Sequence, residues 1–348
     1  MPSSSSEDHE FKTRVRNFEH QGILQMEAKS KKRHHYVPKA YLKAFCDREG
    51  KILVYRKDDP HKPLHLSLNN VALRNYYYSL PLPEGGHDNN ILEDMFSELE
   101  SQWPQLVDRL RQGDDINDSD SLSVLFSFIA LQRLRVPAAR DHAERIASEV
   151  IRSDLRGMKA RGEISCEPDD LEIAPHPAIS LSSITSMEST IRTVFKEMGW
   201  GVLHNKTDLP FLTSDNPVIW FDPSVPEDKM RPYVWLPGRP LLSIFPVAPD
   251  CVIHGHSNMR RQFASRGFSH MDLSDRKSVK TINRHICRFG YEMVLAQERG
   301  HEPLIAKYAD KSPVSQILHW RNAEGEDILH AFVFGPREPK PRWKKTDP

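Results

Sequence analysis

The sequence has little cysteine, no excess of charge of either sign and no long apolar run. Its four cysteines are scattered and form no C-x-x-C pair, which argues against a zinc ribbon or a disulfide scaffold and fits a reducing compartment. Lysine plus arginine equals aspartate plus glutamate at 48 each, so no global field draws the chain to nucleic acid or to an anionic membrane. No apolar stretch approaches the roughly 18 residues that a membrane-spanning helix needs. We therefore expect a soluble cytoplasmic protein.

The best-known catalytic motifs are also missing. The chain contains no P-loop, no Rossmann glycine fingerprint, no G-x-S-x-G and no H-E-x-x-H. The first ten residues are rich in serine and acidic residues and lack the apolar segment of a secretory signal. These absences leave open a local basic site or a site assembled from separate stretches.

The most informative stretch runs from Arg33 to Phe45 and begins with the pair His34-His35. Pro38 suits the first position of a helix, where no N–H is needed, and the aromatic and aliphatic residues after it lie on one helical face. The histidines would then lie in a loop at the positive end of the helix dipole, where a neutral imidazole can act as a base or a metal ligand. The competing interpretation is a surface loop with two solvated histidines.

A second polar stretch, Thr213 to Pro217, lies between two apolar, strand-like segments. Such a turn places Asp215 and Asn216 at a strand end, a common position for functional groups. Asp215 could orient a histidine or bind a cation, and Asn216 could hold an amide, a carbonyl or a phosphate. Asp, Asn and Pro are equally ordinary turn residues, so a purely structural turn is the alternative.

Two further candidates lie in the helical region. Gln132 and Arg133 end an apolar helix, and Arg133 follows inward positions closely enough to be partly buried and to bind a carboxylate or phosphate. Arg135 is predicted to be a surface charge near the helix end. Glu93 and Glu100 lie on one helix and could each pair with an arginine, although exposed carboxylates are the simpler interpretation.

The order of hydrophobic periods predicts an α+β fold. Strand signals occupy about residues 50–80, helical stripes about 90–198 and strand signals again about 200–255. The early strands include a tyrosine-rich segment, Asn75 to Ser79, because aromatic residues fit a pleated surface. Two or three short strands are marginal alone, so we expect N-terminal and C-terminal strands to form one mainly antiparallel sheet with a central helical bundle on one side.

This pattern divides the chain into three predicted segments. Residues 1–30 form a disordered or loosely helical tail. Residues 31–300 form a single α+β domain with a helical insertion at 90–198, and residues 301–348 form a C-terminal extension with a basic tail.

Taken together, these stretches resemble a known family, the uncharacterised domain of unknown function 4238. The segments that carry the likeness most clearly are, in chain order, His34-His35-Tyr36-Val37-Pro38, Tyr77-Tyr78-Ser79, Gln132-Arg133 and Thr213-Ser214-Asp215-Asn216-Pro217. The resemblance covers roughly residues 32–296. It implies that the separated polar segments belong to one site, and it implies no agreed activity.

A weaker likeness is to His-Asn-His nucleases, which also begin with a histidine doublet, two residues and a proline. The second histidine of that pattern activates water, a role that would fall to His35. Those nucleases continue with a hairpin and a helix bearing a further metal-binding His or Asn. No candidate here lies on a recognisable helix at that place, so we do not expect a complete ββα-metal site.

The leading hypothesis is a phosphodiester hydrolase that acts on nucleic acid with the help of a divalent metal. His35 would be the general base, Asp215 a carboxylate partner and Arg133 a phosphate clamp. The residues assigned to the site are His34, His35, Asp215, Asn216, Arg133 and Gln132. The alternative is a non-catalytic binding or regulatory module in which the histidine and Asp-Asn segments are structural. The substrate, the metal and the oligomeric state do not follow from the sequence.

Overall fold

The structure, a computed structural model, describes residues 31–82, 86–322 and 325–339. The tail predicted over residues 1–30 and most of the predicted basic C-terminal tail lie outside the described residues.

Short strands make up most of the N-terminal part. They are β1 (Arg33–His35), β2 (Lys51–Arg56), β3 (Asp59–Ser67), β4 (Leu73–Asn75), β5 (Leu80–Pro81) and β6 (His87–Asp88), with one helical turn, α1 (Lys39–Leu42), after β1. Pro38 is the N-cap of α1, and the predicted apolar face of this turn is buried.

The histidine pair was expected in a loop and lies in a strand. β1 pairs with β4 in antiparallel register, with His34 opposite Arg74 and His35 opposite Leu73. Because neighbouring strand residues point to opposite faces, this pairing sends the two imidazoles into different surroundings.

The tyrosine-rich segment after β4 forms a turn instead of the predicted strand. Tyr76 has a left-handed backbone, with φ of 55°, whereas Tyr77 and Tyr78 are buried. Tyr78 stacks on His34 and meets Phe96 edge-on. The aromatic content therefore indicated burial correctly, but the tertiary contacts of these rings favour a turn.

Five helices make up the central region. They are α2 (Ile91–Gln112), α3 (Ser119–Leu134), α4 (Pro137–Ala160), α5 (Pro177–Ser186) and α6 (Glu188–Lys196). Asp118 caps α3 by accepting the Ser121 N–H, and Pro137 begins α4. The last part of the predicted helical region forms two helices, α5 and α6, which meet at Met187. No single described helix is long and apolar enough to cross a membrane, although α3 and α4, bent by 58°, pass that test of length and composition as a pair.

Strands return in the C-terminal half. They are β7 (Gly199–Asn205), β8 (Thr213–Ser214), β9 (Ile219–Phe221), β10 (Leu242–Ala248), β11 (Cys251–His256), β12 (Ser269–Leu273), β13 (Met293–Ala296), β14 (Ser312–Asn322) and β15 (Gly325–Gly335). The helices between them are α7 (Arg260–Arg266), α8 (Arg276–Phe289) and α9 (Glu302–Lys307).

Two main sheets follow from these strands. One has the order β12-β7-β11-β10-β9 and the other the order β3-β2-β13-β8, and among their pairings β12 with β7 is parallel. The predicted α+β class, with mostly antiparallel sheets and a central helical region, is confirmed. N-terminal β2 does pair with C-terminal β13. The strands of residues 199–256 divide between two sheets, however, instead of joining one.

The first helical turn joins the N-terminal segment to both sheets. The buried Tyr41 hydroxyl donates to the Pro246 carbonyl at 2.6 Å and lies 2.5 Å from Thr213 Oγ1. Thr213 belongs to β8 of one sheet and Pro246 to β10 of the other. The stretch that contains the histidines therefore packs directly against the stretch that contains Asp215.

Candidate functional site

His34 is fully buried and both of its ring nitrogens are in use. Nδ1 accepts the Tyr78 N–H at 2.8 Å, and Nε2 lies 2.9 Å from the Lys31 carbonyl, to which it donates. Burial lowers the pKa of His34, which keeps the imidazole neutral. This arrangement fixes one tautomer and joins β1 to the turn after β4, so His34 holds the fold together and has no free nitrogen for a substrate.

His35 differs because only one of its nitrogens is used. Nε2 donates to the Leu68 carbonyl at 3.2 Å, while Nδ1 has no hydrogen-bond partner among the residues that the structure describes. Burial lowers the pKa of His35, and the charges of Lys39 and Arg33 lower it further. A half-buried, neutral imidazole with one unused nitrogen is able to accept a proton.

Two glutamates of α2, Glu93 and Glu100, lie close enough for their charges to interact. The charge of Glu100 acts on His35 and raises its pKa, against the larger effect of burial. Glu93 is half-buried, and burial together with the nearby charge of Glu100 raises the pKa of Glu93 to about 7. The Glu93 carboxyl makes no hydrogen bond or ion pair within the described part of the chain.

Arg135 was predicted to be a surface charge, and the structure corrects this. Its side chain is 3% exposed and forms an ion pair with Glu100 at 2.7 Å. Its Nε and Nη2 also donate to Gln132 Oε1, at 3.2 and 2.9 Å. Gln132 in turn donates to the Tyr36 carbonyl at 3.3 Å. Gln132 therefore connects the end of α3 with the residue next to His35, and its amide is already engaged.

Asp215 is fully buried and closes the turn between α8 and β13. Its Oδ1 accepts the Tyr291 N–H at 2.7 Å and its Oδ2 accepts the Glu292 N–H at 2.6 Å. Burial, with a contribution from the Glu292 charge, raises the pKa of Asp215 to about 6. The carboxylate orients backbone amides; no described hydrogen bond or ion pair joins it to His35.

Asn216 and Lys57 hold the same turn from other directions. Asn216 Nδ2 donates to Tyr233 Oη at 2.6 Å and to the Phe289 carbonyl at 2.8 Å. Lys57, the residue that follows β2, is buried and donates to the carbonyls of Gly290 and Lys311, both at 2.8 Å. Burial lowers the pKa of Lys57 to about 7.

Arg133 is buried more deeply than predicted. It is 4% exposed, and its Nε and Nη1 have no hydrogen-bond partner in the described part of the chain. The guanidinium carbon lies 3.6 Å from the centroid of the Tyr233 ring, 5.3 Å from that of Phe332 and 5.5 Å from that of Trp220. Burial lowers the pKa of Arg133. A desolvated cation–π contact is worth about 2 kcal/mol, which offsets only part of the cost of burying an unpaired charge.

The proposed site residues therefore belong to four surroundings. His34 lies in a saturated hydrogen-bond network, His35 lies beside the charges of Lys39 and Glu100, and Asp215 with Asn216 holds the 289–292 turn. Arg133 lies in the fourth, with its guanidinium against the Tyr233 ring.

A metal-binding cluster is not seen in the described residues. No group of three or more His, Cys, Asp or Glu side chains there is arranged to hold a metal ion. The divalent metal of the leading hypothesis therefore has no ligand set among the described residues.

The comparison with protein families decides the affiliation. The model of the family described as protein of unknown function (DUF4238) matches residues 33–300. The chain belongs to this family. No curated protein and no solved structure matches it. The predicted resemblance is confirmed, and the β14–β15 hairpin lies beyond the matched region. Because DUF4238 carries no assigned activity, function has to be argued from the side chains.

Three residues of these surroundings have roles that the sequence did not predict. Tyr233, on whose ring the Arg133 guanidinium stacks, lies in an irregular segment with no recognisable motif. Lys57 follows a strand whose other residues are mostly buried, and this was the available signal. For Glu93 the simpler interpretation as an exposed charge did not anticipate the half-buried position that raises its pKa.

Proposed function

We propose that this DUF4238 chain is a phosphodiester hydrolase in which His35 is the general base. The observation that supports the proposal is the state of the His35 imidazole, which is neutral, half-buried and unused at Nδ1. A general base needs both a proton-accepting nitrogen and a pKa near or below the working pH. His34 and Asp215 lack such a free group, because their hydrogen bonds hold the fold.

Phosphate is the substrate group that best suits the basic residues around His35. Lys39 and Arg33 flank the imidazole in sequence and lower its pKa through their charge. Lys39 Nζ uses one donor, on Asn69 Oδ1 at 3.3 Å, and so retains donors for a second ligand. Nucleic acid supplies such phosphates, and it remains the proposed substrate class even though the chain has no net charge.

Glu93 is the candidate for the complementary acid. In the proposed step, a water oxygen attacks phosphorus while His35 takes the proton of the water. The phosphorus–oxygen bond to the leaving group breaks, and the departing oxygen receives a proton from Glu93. A carboxyl whose pKa is raised to about 7 is still partly protonated at neutral pH and can supply it.

A second candidate function is a non-catalytic binding module, and the saturated hydrogen bonding of His34 and Asp215 favours it. In that case the histidine segment and the Thr213–Pro217 segment contribute to folding, and His35 contacts a bound partner without activating water. The two candidates differ in one measurable respect, because only the hydrolase produces cleaved phosphodiester bonds.

The test is cleavage by the full chain of labelled single- and double-stranded DNA and RNA, each with Mg²⁺, Mn²⁺, Zn²⁺ or a chelator. We expect cleavage that His35→Ala lowers by about 10²- to 10⁴-fold. His61→Ala is the matched control, because His61 is an exposed histidine of β3 and its removal is expected to leave the rate unchanged. Binding of a nucleic acid without cleavage would favour the binding module, and neither binding nor cleavage of any of the four substrates would overturn both candidates.

A further inference from the structure

Four arginines are buried in the described part of the chain, and three of them have acceptors. Arg135 pairs with Glu100, and Arg140 binds Ser180 Oγ and the Tyr77 carbonyl. Arg288 donates to the Glu227 carbonyl at 2.6 Å. The fourth is Arg133, whose Nε and Nη1 have none.

The unpaired guanidinium is held in place by aromatic rings. Tyr233 lies directly beneath it at 3.6 Å, and Trp220 and Phe332 lie 5.5 and 5.3 Å away. Tyr233 is itself fixed, because its hydroxyl accepts from Asn216 Nδ2 at 2.6 Å. Stacking orients the plane of a guanidinium but leaves its N–H donors, which point outward in that plane, without acceptors.

A second unpaired donor lies beside the first. Trp220 Nε1 is buried and also has no hydrogen-bond partner among the residues that the structure describes. Buried polar hydrogens are nearly always paired, so unpaired donors on two neighbouring side chains indicate a missing acceptor. Asn216 Oδ1 is an acceptor without a partner among the described residues, and Nδ2 of the same side chain donates to the Tyr233 hydroxyl. The charge of Asp215 also acts on Tyr233.

No carboxylate of the described residues forms an ion pair with Arg133. The Tyr233 phenol faces the guanidinium, and the carboxylate oxygens of Asp215 are occupied by two backbone amides. The nearby His142 stays uncharged, because burial lowers its pKa to about 3. The local charge is therefore one unneutralised cation.

We propose that Arg133 and Trp220 form an internal binding site for one small oxyanion, a phosphate or a carboxylate group, on the Tyr233 ring. The anion accepts from the guanidinium and from the indole N–H, and so neutralises the buried charge. Phe332 belongs to β15, so the C-terminal hairpin covers one side of the site. This site does not depend on catalysis at His35, because it uses none of the residues of the proposed reaction.

Isothermal titration of the full chain with inorganic phosphate, and separately with acetate, tests the proposal and tells the two sources apart. We expect saturable binding of one anion per chain for at least one of the two probes. Arg133→Met should abolish it, and Trp220→Phe, which keeps the ring and removes the N–H, should weaken it about tenfold. Arg261→Met removes an exposed arginine and serves as the control for charge; it should bind like the wild type.

Thermal unfolding provides the second readout and covers the case in which a variant folds poorly. Phosphate or acetate should raise the unfolding midpoint of the wild type and of Arg261→Met, and not that of Arg133→Met. In buffer without either anion, Arg133→Met should unfold at the same temperature as the wild type or higher, because it removes an unpaired buried charge. The proposal is overturned if the anions stabilise Arg133→Met and wild type equally, or if Trp220→Phe binds both anions like the wild type.

Discussion

Two polar regions of this protein look alike in the sequence and differ in the structure. The region around Asp215 is fully buried, and both carboxylate oxygens and all three Lys57 donors have partners there. The side chains of His35 and Glu93 are half-buried, and among the described residues one imidazole nitrogen and the Glu93 carboxyl have no hydrogen-bond partner. The difference teaches that a polar residue inside a protein is informative about function mainly when its hydrogen-bonding capacity is left unused.

The largest expected effect, and the most direct test of this difference, is a substitution of Asp215. Asp215→Ala leaves the buried Tyr291 and Glu292 N–H groups without acceptors, and each such loss costs about 1–3 kcal/mol. We expect the free energy of unfolding to fall by about 3 kcal/mol in denaturant titrations. Asp208→Ala is the control, since Asp208 forms an exposed ion pair with Arg276 and its removal should change stability by less than about 1 kcal/mol. Equal, small effects of the two substitutions would contradict the structural assignment of Asp215.

The histidine doublet offers a sharper version of the same comparison. His34→Ala removes two buried hydrogen bonds and the stacking on Tyr78, so we expect a loss of about 2–3 kcal/mol. His35→Ala removes a single bond at 3.2 Å and should cost about 1 kcal/mol or less. The measurement is urea unfolding of both variants at neutral pH. If His35→Ala proved the more damaging of the two, the imidazole assigned to chemistry would be the structural one.

The smallest expected effect concerns Glu93 and depends on pH. Its folded-state pKa is raised from 4.5 to about 7, so the folded state binds more protons than the unfolded state between these values. The stability contributed by the protonated carboxyl is therefore fully present below pH 4.5 and is lost as pH rises through about 7. Glu93→Gln cannot ionise, and after allowance for solvent screening it should exceed the wild type by about 1 kcal/mol at pH 8.

Unfolding curves of Glu93→Gln and wild type from pH 4 to pH 8 would check this. Glu98→Gln, an exposed position of the same helix, is the control and should follow the wild type at every pH. Parallel curves for all three proteins would show that folding does not raise the pKa of Glu93 and would exclude it as the candidate acid.

The sequence by itself determined the class of fold and the position of most elements. Hydrophobic period located β2, the long helices α2, α3 and α4, and strands β10 and β11, because burial of one face repeats with the geometry of the element. Asp118 and Pro137 lie at helix starts. The Asp118 side chain accepts an N–H of the first turn, and proline has no N–H to leave unpaired there. The family, too, was recognisable from short polar segments.

Only the tertiary structure decided which polar residues are in use. His34 and His35 are neighbours of the same chemical type, and the strand pairing of β1 with β4 directs them to different partners. Arg133 and Arg135 end the same helix, but only Arg135 meets a carboxylate. The physical reason is that hydrogen-bond partners are supplied by segments far away in the chain, whereas a hydrophobic period is written in consecutive residues.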